Sequence, residues 1–197
     1  MVSKIDHNYI KRLAYAFILR EGITSIPVNS IRILKRRHYY LRPYDKIYEL
    51  KATPEQIAYV YGDAFVYPTN YSPTPYGLGI NMDCSLLECN YTIMHELAHI
   101  ELGHVNKLMS ASGILRAEQW AEDEVELFCL YVMCPDIILQ ELGIKKADEI
   151  ARICCVPYRK ARLKEMYLKK ISLLKNLRTP TEQLILQNFK EHLNRIS

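Results

Sequence analysis

No apolar run in this 197-residue chain approaches the ~20 residues of a membrane span. Its start, residues 1–7, has no signal-peptide apolar core. The expectation is a cytoplasmic protein with no membrane partner. The six cysteines (84, 89, 129, 134, 154 and 155) include no C-x-x-C pair. Cys129 and Cys134 fall on or beside an apolar helix face, as reduced thiols do, so a disulfide framework is not expected in such a compartment. Internal repeats and low-complexity segments are also missing. What remains is a chain 49% apolar, enough to build the core of one domain, or of one domain with an appendage.

Apolar periodicity and punctuation predict helices over residues 5–20, 29–37, 85–103, 118–133 and 135–142, the last stopped by Gly143. Thr53-Pro54-Glu55 opens a further short helix with an N-cap, a first-turn proline and an early acid. Strands are predicted over 39–44, 63–67 and 77–81, with 68–75 as a loop and Ser110, Ser112 and Gly113 in another. The expected fold class is α+β: a mainly helical core with a small sheet over residues 1–143, and a basic helical segment over 144–197.

Within the helix at 85–103 lies His95-Glu96-Leu97-Ala98-His99, the H-E-x-x-H signature of zinc metallopeptidases. Two histidines four residues apart stand about 40° apart around a helix and one turn along it, so both imidazoles reach one ion. Glu96, offset by roughly 100°, can reach a water at that ion without capping the metal, the position of a general base. The competing reading is a core helix whose histidines bond to neighbouring carbonyls. It needs two separate sets of buried partners where one Zn2+ satisfies both rings.

A catalytic zinc site takes three protein ligands, so one more donor is needed. The metzincin extension requires Gly at 102 and His at 105, but Leu102 and Val105 stand there. His104, nine residues after His95, sits about 180° around the same helix, facing away from the metal, and reads as a helix-end histidine near the C-terminal dipole. The acidic helix at 118–133 remains. Glu122 and Glu126 share one of its faces, while Glu124 is offset by about 200° from Glu122. Glu122 is assigned to the metal and Glu126 to the free N–H of a ligand histidine, with Glu124 as the alternative ligand and a wholly solvated acidic face as the bland option. Tyr91 and Tyr131 are candidate oxyanion donors. The strand at 77–81 could pair with a substrate as an edge, or be an ordinary hairpin strand.

The segments from Tyr91 to His99 and from Glu122 to Cys129, ending at Met133-Cys134-Pro135, resemble the ImmA/IrrE-type metallopeptidases. Members of that family read F-T-x-x-H-E-x-x-H, then E-x-E-A-N-x-F-A and a Leu/Met-x-Pro ending. The resemblance extends to Ile26-Pro27-Val28 and Gly79-Ile80-Asn81 and spans most of residues 20–166. Val125 stands where Ala is usual and Glu126 where Asn or Asp is usual. The resemblance implies a zincin-like, gluzincin-type bacterial or phage enzyme of the cytoplasm. Its expected substrate is a helix-turn-helix transcriptional repressor of a phage, mobile element or stress regulon, cleaved or otherwise inactivated.

Charge is segregated. Residues 145–197 hold 13 Lys/Arg against 5 Asp/Glu, inside a chain whose net charge is only +4. Residues 147–163 carry helix-turn-helix spacing, with a turn near Cys155 and Val156 and a second helix bearing Arg159, Lys160 and Arg162. Three readings stay open: a solvated basic face, docking onto an acidic protein partner, and DNA binding. The alternative function is thus a weakly catalytic or non-catalytic regulator, stabilised by its metal, that binds DNA or a partner through residues 146–170.

Overall fold

The computed structural model describes residues 5–71, 74–105, 118–171 and 178–196. It is a mainly helical α+β protein, with ten α-helices and one three-stranded mixed sheet among the described residues. The chain divides into two compact units. One is built from residues 29–125, the other from residues 4–28 together with 126–197. This division differs from a boundary at 143/144, because the N-terminal helix packs in the same unit as the C-terminal helices. The predicted loop holding Ser110, Ser112 and Gly113 lies outside the described residues.

The first unit holds α2 (Ser30–Arg36), β1 (Tyr40–Pro43), α3 (Pro54–Tyr61), β2 (Ala64–Tyr71), β3 (Thr74–Ile80), α4 (Leu86–Glu101) and the first half of α5 (Gln119–Met133). Strand order is β1-β3-β2, with β1 parallel and β2 antiparallel to β3. Two expectations are corrected here. The stretch 68–75 is not a loop, since β2 continues to Tyr71 and β3 begins at Thr74. Pro68 is compatible with this because β2 is an edge strand and its register with β3 shifts just after Pro68, the places where a sheet tolerates proline. Nor is the strand at 77–81 an edge, because Gly77 to Ile80 are paired with β1 on one side and with β2 on the other.

Side chains alternate across the pleat. Phe65 lies opposite Gly79 and Tyr67 opposite Gly77, and both rings cross β3 where those glycines leave room. Tyr44, Ile47, Ile57 and Phe65 form a buried cluster there. Val66, Leu78 and Ile80 are buried on the other pleat face, and α4 packs on β2 and β3.

Helix α4 begins where the Ser85 hydroxyl accepts the Glu88 amide at 3.3 Å. Its middle is tied to α2, since Asn90 accepts the Ser30 amide at 2.9 Å and the Ser30 hydroxyl at 2.8 Å. At its far end Arg37 pairs with Glu101, and Leu102 caps the helix before Gly103, whose φ of +73° turns the chain away. Cys84 and Cys89 are joined by a disulfide across the start of this helix, which corrects the expectation of reduced thiols for these two. Their five-residue spacing crosses the helix start and brings the Cα atoms to 5.9 Å, within bridging range. Cys129, Cys134, Cys154 and Cys155 form no disulfide among the described residues.

The second unit consists of α1 (His7–Arg20), the end of α5, α6 (Asp136–Glu141), α7 (Ala147–Cys154), α8 (Tyr158–Ile171), α9 (Pro180–Asn188) and α10 (Lys190–Ile196). Asp6 caps α1 by accepting the amides of Asn8 and Tyr9, each at 3.0 Å. The buried face of α1 carries Ile10, Ala14, Phe17 and Ile18, and α1 packs on α9. Phe17 meets Phe128 edge to face at 5.5 Å. Among the described residues, no helix of either unit is long and apolar enough to cross a membrane.

Candidate metal centre

The site lies within the first unit and is built from α4 and the start of α5. His95 and His99, one helical turn apart, place their Nε2 atoms 3.3 Å from each other. Glu122 completes a triangle, with Oε2 at 3.0 Å from His95 Nε2 and Oε1 at 3.4 Å from His99 Nε2. Donors held about 2.0–2.2 Å from a tetrahedral zinc ion stand roughly 3.3–3.6 Å apart. Each carboxylate oxygen of Glu122 meets a different imidazole, and one donor atom from each residue lies within 4.8 Å of the other two, so His95, His99 and Glu122 form a group that could hold a metal ion. The two histidines hold the Glu122 carboxyl far below the usual carboxylate range through hydrogen bonds and charge, keeping it ionised as a ligand must be.

Glu96 is buried, its side chain turned from solvent into the unit. Burial raises its pKa, with His95 and His99 pulling the other way and a hydrogen bond from the Val66 backbone amide on β2 stabilising the charge. A raised carboxyl pKa beside the donor triangle makes Glu96 a better proton acceptor than a solvated glutamate.

No known family model, curated protein or solved structure matches the chain.

The other candidates are placed as follows. Glu124 is directed at His104, with Oε2 at 3.2 Å from His104 Nε2. Glu126 belongs to the second unit, where it pairs with Lys160. Helical projection puts Glu122 and Glu126 on one face, and the lysine on α8 offers Glu126 a full charge. Tyr91 is buried on α4 one turn before His95. Tyr131 is buried in the second unit, with the Lys164 ammonium 4.8 Å from its ring centroid. Arg159 and Arg162 are exposed on α8.

His104 is the residue whose placement departs most from expectation. It is buried, and its Nδ1 lies 3.2 Å from Nδ1 of His99. Projection along a continuous helix fails because the helix has ended at Leu102 and Gly103 reverses the chain. The glycine just past the last apolar repeat is the signal that could have revealed this.

Proposed function

We propose that the protein is a zinc-dependent metallopeptidase with His95, His99 and Glu122 as ligands and Glu96 as general base. The observation that carries this reading is the convergence of two imidazole nitrogens and one carboxylate, with separations of 3.0 to 3.4 Å, beside a buried glutamate on the same helix as the histidines. A zinc ion held there would supply Lewis acidity and would acidify water. Glu96 takes a proton from the attacking water and returns it to the leaving amine nitrogen as the peptide C–N bond breaks. Its burial favours the first transfer, and the Val66 amide keeps the carboxylate aimed.

The strand residue that reaches Glu96 is on β2, an edge strand, so addition of an extended substrate is proposed at β2 in place of β3. Tyr91 is the proposed oxyanion donor on α4. The substrate proposed from the ImmA/IrrE resemblance is a helix-turn-helix repressor protein.

The test compares zinc-loaded wild type with Glu96→Gln on a peptide pool, products being read by mass spectrometry. Wild type is expected to cleave, and the variant to keep its zinc while losing at least a hundredfold in rate, in line with removal of a general base. Equal product patterns from the two proteins overturn the peptidase reading.

A second reading is favoured by one observation in the second unit. Cys155, between α7 and α8, adopts the left-handed conformation at φ +48°, where a helix-turn-helix usually places glycine. Ile150, Val156 and Ala161 are buried around that turn, as the motif requires. Neutralising Arg159 and Arg162, both exposed on α8, is expected to abolish any salt-dependent association with duplex DNA. No DNA association by the wild type at low salt removes this reading.

A further inference from the structure

His99 offers Nε2 to the donor triangle, which leaves its other nitrogen to be accounted for. That atom, Nδ1, faces Nδ1 of His104 at 3.2 Å, and His104 Nε2 faces Glu124 Oε2 at 3.2 Å. His99 and His104 are 2% and 1% exposed, so bulk water cannot substitute for either contact. Trp120, one turn ahead of Glu124 on α5, presses edge to face on the His104 ring at 5.3 Å.

The direction of each proton along this row follows from the chemistry of its two ends. A carboxylate only accepts, so the proton between His104 and Glu124 belongs to His104 Nε2. Neutral His104 then has a bare Nδ1, which accepts. The proton between the two rings therefore belongs to His99 Nδ1. That leaves the lone pair of His99 Nε2 for a metal ion, which would displace the proton that Glu122 Oε1, 3.4 Å away, draws to this atom in the metal-free site. The opposite assignment would put a proton on His99 Nε2 and close that atom to a metal.

We propose that His104 and Glu124 are positioning residues that lock His99 in the Nδ1–H tautomer and orientation needed to bind the metal. The proposal rests on the reading of His95, His99 and Glu122 as ligands. It gives Glu124 a role at the metal without coordination, and it places the orienting group five residues past the second histidine, beyond the Gly103 turn. Partners behind a ligand histidine commonly set ten- to a hundredfold in metal affinity, by raising ligand basicity and fixing the ring.

The test uses the full chain and zinc itself. Affinity is measured by competition with a chromophoric chelator for wild type, His99→Ala, His104→Ala, His104→Asn and Glu124→Ala. Histidine tautomers in the zinc-loaded wild type are read by long-range 1H–15N NMR. The expected result is a ten- to hundredfold loss in His104→Ala and a smaller loss in Glu124→Ala. Most of the affinity should return in His104→Asn, whose Oδ1 takes the place of Nδ1 as acceptor. The NMR spectrum should show His99 protonated at Nδ1 and His104 at Nε2. Glu124 is partly exposed, so Glu124→Ala carries the test if His104→Ala fails to fold.

Zinc binding that is lost in His99→Ala but unchanged in both His104→Ala and Glu124→Ala overturns the proposal alone. So does the reverse tautomer pattern, or a loss in His104→Ala that His104→Asn does not repair. No zinc bound by wild type overturns the ligand reading and this proposal with it.

Discussion

The ammonium of Lys164 and the carboxylate of Asp136 are paired in the interior of the second unit, each side chain only 1% exposed. Lys11 joins them, with Nζ at 3.0 Å from Asp136 Oδ2 and at 2.9 Å from Glu182 Oε1. A lysine at the centre of an amphipathic helix is normally solvated. Here α8 turns it inward, where the Leu130 carbonyl also accepts from Nζ at 3.2 Å. Removing one partner of a buried pair leaves an uncompensated charge, which costs about 3–5 kcal/mol. Lys11 still shields Asp136, so Lys164→Met is expected near the lower end of that range. Adding Asp136→Leu should recover much of the loss. Urea denaturation of the two variants checks both statements, and a Lys164→Met protein as stable as wild type contradicts the first.

The same network sets the pH range of the second unit. Burial pushes the Asp136 carboxyl up, but Lys164 and Lys11 outweigh it and hold the pKa below its ordinary 3.8. Burial pushes Lys11 down, yet Asp136 and Glu182 raise it above its ordinary 10.5. A depressed acid contributes stability above its unfolded pKa and loses it as pH falls through the folded value. A raised base contributes below its unfolded pKa and loses it as pH rises through the folded value. Stability measured by denaturant from pH 2 to 12 should therefore be broad between roughly 4 and 10 and decline on both sides. The acid decline should weaken in the Lys164→Met, Asp136→Leu double variant, which lacks the buried carboxylate. An acid limb identical to wild type in that variant would assign the loss to other groups.

Much of the metal triangle was readable from local pattern. The H-E-x-x-H spacing is a helical repeat, the caps at Ser85 and Thr53 are short-range, and Glu122 follows from which acids share a face. What local pattern could not supply is whatever depends on chain reversal or on distant partners. Projecting His104 along the helix ignores the stop at Gly103, and the pairing of Glu126 with Lys160, 34 residues on, is invisible to a helical projection. Prolines at 68 and 75 read as loop, because proline limits pairing only on the side where its N–H would point, and that side is a matter of sheet order. The place of β3 at the centre of the sheet, and of α1 beside α9, is tertiary in the same sense.

Gly79 is required by sheet packing and not by backbone conformation. A Cβ there would come within 2.7 Å of the Phe65 ring and 2.8 Å of Ile47 Cδ1, both buried in the aromatic cluster. At Gly77 the nearest atoms are the far end of the Tyr67 ring, at 2.4 Å, and that ring is only partly buried. Overpacking a tight core costs about 1–3 kcal/mol. Gly79→Ala should therefore destabilise by that amount and Gly77→Ala by less. Thermal unfolding of the two variants side by side tests the order, and the reverse order would show that the Phe65 cluster yields more easily than the Tyr67 ring.

Metal binding should be visible as stability before any substrate is known. A ligand that binds only the folded state stabilises by about 2.7 kcal/mol when present at a hundred times its Kd. Zinc held by His95, His99 and Glu122 would also neutralise a carboxylate facing two imidazoles in a site where His99 is almost fully buried. Adding zinc should raise the unfolding midpoint of the wild type, and a chelator should reverse the shift. Glu96→Gln should respond as the wild type does, because that carboxylate lies outside the donor triangle. His99→Ala and Glu122→Ala should not respond, since two donors alone hold zinc weakly. A zinc response that survives in His99→Ala would place the bound ion elsewhere on the chain, and the peptidase mechanism would lose its metal.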